Sequence, residues 1–231
     1  MHDTKKYDIF LFDADGTLFD FDLAQANALE IMFQNYSLEY NENRLSIYRT
    51  INIQEWEKFE KGEITNDDLK TSRFIRFFRE IGVDFDPAKF NEEYLFELGK
   101  GSFLIEGALE ICKHIISHNK KIFIVTNGML ATQKSRIQHS LIKDYISDFF
   151  VSEVIGFQKP HISYFEFVFS HIPPIPKEKI LIIGDSLTAD ILGGLNAGID
   201  SCWFNNSGNK NHTDITPVYE INKFSELEKF V

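Results

Sequence analysis

The apolar positions of this chain follow two rhythms, and the change between them marks its organisation. Residues 7–12 form a short apolar run closed by Asp13, Asp15, Gly16 and Thr17, which predicts a buried strand ending in a turn. Helical spacing then takes over. Residues 24–36 set Ala28, Leu29, Met32, Phe33 and Tyr36 on one face, and residues 45–59, 67–81 and 90–98 repeat the pattern. Four helices in succession predict an inserted all-helical domain over residues 22–99, with Gly99 and Gly101 as a flexible return.

Beyond residue 100, helix and strand alternate. Helices are expected over 108–118, 129–139, 162–171 and 186–197, and a closing helix over 224–230. Strands are expected over 121–125, 149–154 and 180–183, with 201–204 as the last core strand. This alternation argues for an α/β fold, a Rossmann-like parallel sheet with helices on both faces. Residues 1–21 and 100–231 would form that core domain, and residues 22–99 a helical cap domain inserted into it. Pro173, Pro174 and Pro176 read as a stop to the helix before them.

A hydrophobic share of 43% over 231 residues is enough for a substantial core, and the 23 phenylalanines are spread widely through it. The net charge of -11 argues against a nucleic acid polymer or an anionic membrane as the main partner, since both need basic surface. A small anionic substrate stays open, because a local cation can outweigh the global field. No stretch is long and apolar enough to span a bilayer, and residues 1–7 carry no apolar leader. Cys112 and Cys202 sit in apolar settings, which fits a reduced, cytoplasmic compartment better than a disulfide framework.

The candidate chemistry gathers at strand ends. Residues i and i+2 of a strand share a face, so Asp13 and Asp15 are expected to aim at one point beyond the first strand. Two carboxylates roughly 4 Å apart repel by about 4 kcal/mol at an effective dielectric near 20, and a hard divalent cation is the usual remedy. Thr126, Asn127 and Gly128 lie between a strand and a helix, a phosphate-binding arrangement that also serves as an ordinary helix cap. Lys159 precedes Pro160, which is expected in the first turn of the next helix. Asp185 ends a strand and Asp190 follows five residues later, where a helix dipole favours a carboxylate.

Singly, each group has an ordinary structural explanation. Together, Asp13, Asp15, Thr126, Lys159 and Asp185 supply a nucleophile, an acid/base, a phosphate donor, a cation and a metal ligand. Other signals are weaker. His114 and His118 have metal-ligand spacing but no third ligand, and read as an exposed helix face. Cys112 reads as core. Phe21, Trp56, Phe74 and Phe78 are able to stack a base, but such residues more often form a helical domain's own core, so none is assigned to binding.

Four ordered motifs make the chain resemble the haloacid dehalogenase (HAD) superfamily over nearly its whole length. They are Asp13-x-Asp15-Gly16-Thr17, Thr126, Lys159-Pro160, and Gly184-Asp185 through Asp190. The helical insertion resembles the cap that follows the first motif in one large group of these enzymes. Phe12-Asp-Ala-Asp15, Thr126-Asn-Gly128, and the run from Asp190 to Gly198 with Cys202-Trp203 resemble the YjjG-like pyrimidine 5'-nucleotidase branch.

The resemblance implies a Mg²⁺-dependent phosphomonoesterase acting on nucleoside monophosphates, as a monomer or homodimer. Asp13 would be the nucleophile that becomes an aspartyl-phosphate, and Asp15 the acid/base. Asp13, the backbone carbonyl of Asp15 and Asp185 would hold the metal. Thr126, the Asn127 N–H and Lys159 would bind phosphate, and Asp190 would orient Lys159 or a metal-bound water. A β-phosphoglucomutase-like phosphosugar mutase or a sugar phosphatase is the alternative. The presence of Asp15 argues against a dehalogenase, and the presence of Asp13 and Lys159 against a non-catalytic binding protein.

Overall fold

The computed structural model describes residues 5–231, so residues 1–4, part of the stretch read for an apolar leader, lie outside the described residues. Six strands, β1 (Ile9–Phe12), β2 (Lys121–Thr126), β3 (Asp148–Val151), β4 (Ile180–Gly184), β5 (Asp200–Phe204) and β6 (Tyr219–Ile221), form one sheet. Their order is β3-β2-β1-β4-β5-β6, and every neighbouring pair is parallel. In β1, Phe12 stands opposite Ile124 on one side and Ile183 on the other.

The pleat sends Phe10 and Phe12 to one face and Ile9 and Leu11 to the other. The first face is covered by α5 (Ala108–Ser117) through Ile111 and Ile115, and by the 3₁₀ segment Phe224–Phe230. The second is covered by α8 (Ile162–His171) through Tyr164, Phe165 and Val168, and by α9 (Leu192–Ala197). A sheet buried on both faces needs near-continuous apolar strands, and Ile-Phe-Leu-Phe and Ile-Leu-Ile-Ile supply them. Strand order reverses between β1 and β4, and sheets of this kind open a crevice there, at the strands' carboxyl ends.

Between β1 and α5 run α1 (Phe21–Asn35), α2 (Glu42–Glu60), α3 (Asn66–Ile81) and α4 (Pro87–Leu98). Each start is marked in the sequence. Asp20 accepts from the Leu23 N–H, Thr65 and Asp68 form a capping box, and Asp86 caps a helix with Pro87 in its first turn. The four helices bury Phe33, Tyr48, Phe74, Phe77, Phe90 and Tyr94 in a cluster of their own. At about 1.5–3 kcal/mol for each buried Phe, this cluster is a main source of the helices' cohesion. Phe74 and Phe78 belong to it.

Several local expectations need correction. The 149–154 strand stops at Val151, and Ser152–Ile155 make a single helical turn (α7) closed by left-handed Gly156. The 186–197 helix opens as a π-helical turn, Leu187–Ile191, before α9 begins. Pro160 precedes its helix, which begins at Ile162 behind a His161 cap. β5 is not the last strand. β6 extends the sheet with three residues that pair along Cys202 to Phe204, too short a run to carry a periodic signal. His114 and His118 face each other with ring centroids 4.4 Å apart. Cys112 and Cys202 are buried and unpaired. Among the described residues, no helix is long and apolar enough to cross a membrane.

Candidate active site

Asp13 follows β1, Thr126 ends β2 and Asp185 follows β4, so three adjacent strands deliver polar groups to the crevice at the order reversal. A pocket of about 190 Å³ lies there. Asp13, Asp15, Thr126, Asn127, Lys159, Asp185 and Asp190 all line it, together with Phe21, Trp56 and Glu60.

Lys159 is the hub. Its side chain is almost fully buried, and its Nζ donates to Asp13 Oδ1 and Asp190 Oδ1, each at 2.6 Å, and to the Val125 carbonyl at 2.8 Å. The Asn127 side chain fixes the Lys159 backbone from both sides. Its Oδ1 accepts from the Lys159 N–H at 2.9 Å, and its Nδ2 donates to the Lys159 carbonyl at 3.0 Å. Thr126 Oγ1 accepts from the Gly128 N–H at 3.0 Å. Gly16 has φ +81°, and a Cβ there would stand 2.5 Å from Asp185 Oδ2, so the turn after β1 requires glycine to admit that carboxylate.

Carboxylate oxygens of Asp13, Asp185 and Asp190 lie within 4.8 Å of one another. Both oxygens of Asp190 already accept protein donors, from Lys159 and from the Ser186 N–H. Asp13 and Asp185 each keep an oxygen to which no other described residue donates. Hard oxygen donors of this kind suit Mg²⁺, so the residues present fit such an ion. Trp203 Nε1 donates to the Asp185 backbone carbonyl at 2.8 Å and so steadies the segment that carries this carboxylate.

The electrostatics point the same way. Burial pushes the Asp13 carboxyl well above its ordinary range; Asp190 and Asp185 add to the shift, and Lys159 opposes it. Asp185 is pushed up to about 7, by desolvation in the cleft and then by the charge of Asp190. It keeps an exposed surface at the pocket mouth, so water screens part of that effect. For Lys159, burial acts to lower the pKa, but Asp13 and Asp190 together outweigh it and hold the amine above its usual value.

Asp15 departs from expectation. The strand has ended at Phe12, so alternation no longer governs where Asp15 points. Asp13 turns to Lys159, whereas Asp15 accepts from Gln133 and Arg136 of α6 (Leu130–His139). Sequence reading missed these partners. Their signal is a Gln and an Arg three residues apart, hence on one helix face, directly after the Thr-Asn-Gly loop. Glu60 was also missed. Its Oε2 accepts from Thr188 Oγ1 at 2.9 Å and joins the end of α2 to the π-helical turn after β4.

Residues 10–204 match the model of the haloacid dehalogenase-like hydrolases. The chain belongs to that family. It is similar to the HAD-hydrolase YfnB of Bacillus subtilis, with 41% identity over 96% of this chain and 94% of YfnB. A crystal structure of YfnB bound to magnesium, in a form that reveals interdomain movement, superposes with a TM-score of 0.91 over 96% of this chain and 97% of that one. Two further relatives are pyrimidine 5'-nucleotidases. PynA of Streptococcus pneumoniae is 34% identical over 96% of this chain and 93% of its own length. YjjG of Escherichia coli is 31% identical over 98% of each chain.

Proposed function

We propose that this HAD hydrolase is a Mg²⁺-dependent phosphomonoesterase that works through an aspartyl-phosphate and acts on pyrimidine nucleoside 5'-monophosphates. The observation that carries the reading is the meeting of all seven sequence-predicted residues in one pocket. The likeness to PynA and YjjG supports the substrate class.

A Asp13 carboxylate oxygen attacks phosphorus, and the bond to the ester oxygen breaks. Asp15 gives its proton to the departing alkoxide. Water then attacks the acyl phosphate, its proton passes to Asp15, and Asp13 leaves as the free carboxylate with release of inorganic phosphate. Thr126, the Asn127 N–H and Lys159 hold the phosphoryl oxygens. Asp190 keeps the Lys159 ammonium beside Asp13. Asp13, Asp185 and the Asp15 carbonyl would hold Mg²⁺, which offsets charge on the phosphoryl group.

Helices α1–α4 form a cap domain over residues 22–99, carried on a core domain of residues 1–21 and 100–231. Their separate apolar cluster and the interdomain movement of YfnB support this division. Cap closure excludes water, and Phe21 and Trp56 are the apolar surfaces that the organic part of a substrate meets. Two free thiols support a cytoplasmic setting.

A phosphate-release screen over nucleotides and sugar phosphates, with and without Mg²⁺, tests the proposal. A preference for UMP, dUMP or dTMP is expected. A preference for hexose phosphates would replace it with a sugar phosphatase. Conversion of glucose 1-phosphate to the 6-phosphate without phosphate release would replace it with a mutase.

A further inference from the structure

Arg136 has no surface open to solvent. Its guanidinium bonds one carboxylate oxygen of Asp15. Its Nε donates to the Leu98 carbonyl at 3.2 Å, and its Cζ lies 5.7 Å from the ring centroid of Phe21. Phe21 opens α1 and Leu98 closes α4, so Arg136 is anchored at both points where the chain passes between the sheet and the four-helix unit. One helical turn earlier, Gln133 gives its Nε2 to the other Asp15 oxygen. Gly128 makes room for that amide, since a Cβ there would stand 2.2 Å from Gln133 Nε2. The Thr-Asn-Gly loop therefore serves Asp15 as well as the phosphate position.

We propose that Gln133 and Arg136 are positioning residues that clamp the Asp15 carboxyl from α6 and set its orientation toward the leaving-group oxygen. The proposal rests on the reading of Asp15 as the acid/base. A carboxyl gripped at both oxygens has one orientation, whereas a free one in a turn samples several. Proton transfer needs a heavy-atom approach of hydrogen-bond length, so orientation decides how well the group works. Among the described residues, neither clamp residue hydrogen-bonds to Asp13, Lys159 or Asp190, so their effect falls on the proton transfers that use Asp15.

The test compares two substrates of the full chain with Mg²⁺, dUMP and p-nitrophenyl phosphate. The quantity read is the ratio of their kcat/KM values, which reports steps up to cleavage of the ester bond. An alkoxide needs a proton as it leaves, and p-nitrophenolate does not. The expected result is that Arg136→Lys and Gln133→Leu each lower the dUMP-to-aryl ratio by about tenfold or more, part of the about 10²–10⁴-fold that a placed general acid supplies. Partial misfolding scales both substrates together and leaves the ratio unchanged, and Gln133→Leu decides the matter if Arg136→Lys does not fold. Asp15→Asn is measured alongside. A ratio lowered by Asp15→Asn but untouched by the clamp variants would overturn the clamp. A ratio that Asp15→Asn also leaves untouched would overturn the acid/base reading beneath it.

Discussion

Lys159→Met removes the ammonium group that joins Asp13 to Asp190 at 2.6 Å each. Methionine adapts to the vacated space, so the change is mainly one of charge. Deleting one partner of a buried pair costs about 3–5 kcal/mol, because the remaining charge is left uncompensated. Here two buried carboxylates remain, with Asp185 beside them, which places the effect in the upper part of that range. At roughly 2–4 °C per kcal/mol for a domain of this size, the melting temperature is expected to fall by roughly 10–20 °C in chelator at pH 8. The sign of the pH dependence follows from Asp13, whose carboxyl is raised in the folded state. Stability from a raised acid is complete below its unfolded value and is lost as pH rises through its folded value. Removing Lys159 raises that folded value further. The gap between variant and wild type therefore widens from pH 5 to pH 8. Thermal unfolding followed by circular dichroism at both pH values measures it. A gap under about 1 kcal/mol at pH 8, the size of an exposed pair, or a gap that does not change with pH, would refute the reasoning.

Asp13→Asn is expected to abolish phosphate release, and retention of near wild-type turnover would reject Asp13 as the nucleophile. Mg²⁺ is expected to raise the melting temperature more at pH 8 than at pH 6. Asp185, pushed up to about 7, is then ionised and ready to ligate, and the metal relieves a repulsion that grows with pH. An equal shift at the two pH values would count against Asp185 as a ligand. Trp203→Phe removes the donor to the Asp185 carbonyl and is expected to raise the Mg²⁺ concentration for half-maximal activity by about 10-fold, within the range seen for groups behind a metal ligand. Activity titrations with Mg²⁺ read this directly, and an unchanged midpoint would show that the indole bond is unimportant.

The parallel sheet was legible because its central strands are pure apolar runs ending in Asp, Thr or Gly, and those endings put chemistry at a sheet edge. The four helices were legible from their period alone, and the structure adds the caps Asp20, Thr65 and Asp86 at their starts. What stayed hidden was pairing across long separations. β6 carries three residues and owes its place to β5, about fifteen positions earlier. Nothing local in Tyr-Glu-Ile announces a strand. The π-helical turn at Leu187–Ile191 is equally silent, because it keeps the apolar positions of an ordinary helix. In the site, Asp13, Lys159 and Asp190 were legible by residue type. The partners of Asp15 were not, since a Gln and an Arg on a helix usually face water. Only the folded chain shows Arg136 buried. Among the four aromatic positions, Phe21 and Trp56 line the pocket while Phe74 and Phe78 are core, a division set by helix packing.

The balance of charge ties these features to one another. Five acidic side chains, Asp13, Asp15, Glu60, Asp185 and Asp190, line the pocket, and the cations Lys159 and Arg136 bond to three of them. The acids outnumber the cations, an excess that a divalent cation would reduce. A phosphate monoester brings about two further negative charges near neutral pH, so without the cation it would enter a site that repels it. The cations are placed unequally. Lys159 bonds to Asp13, the proposed nucleophile, and Arg136 to Asp15, the proposed acid/base. Asp185 accepts from the Thr17 hydroxyl at 3.3 Å and has no ion-pair partner among the described residues. A divalent ion bound there would supply the counter-charge that Asp185 lacks among the described residues.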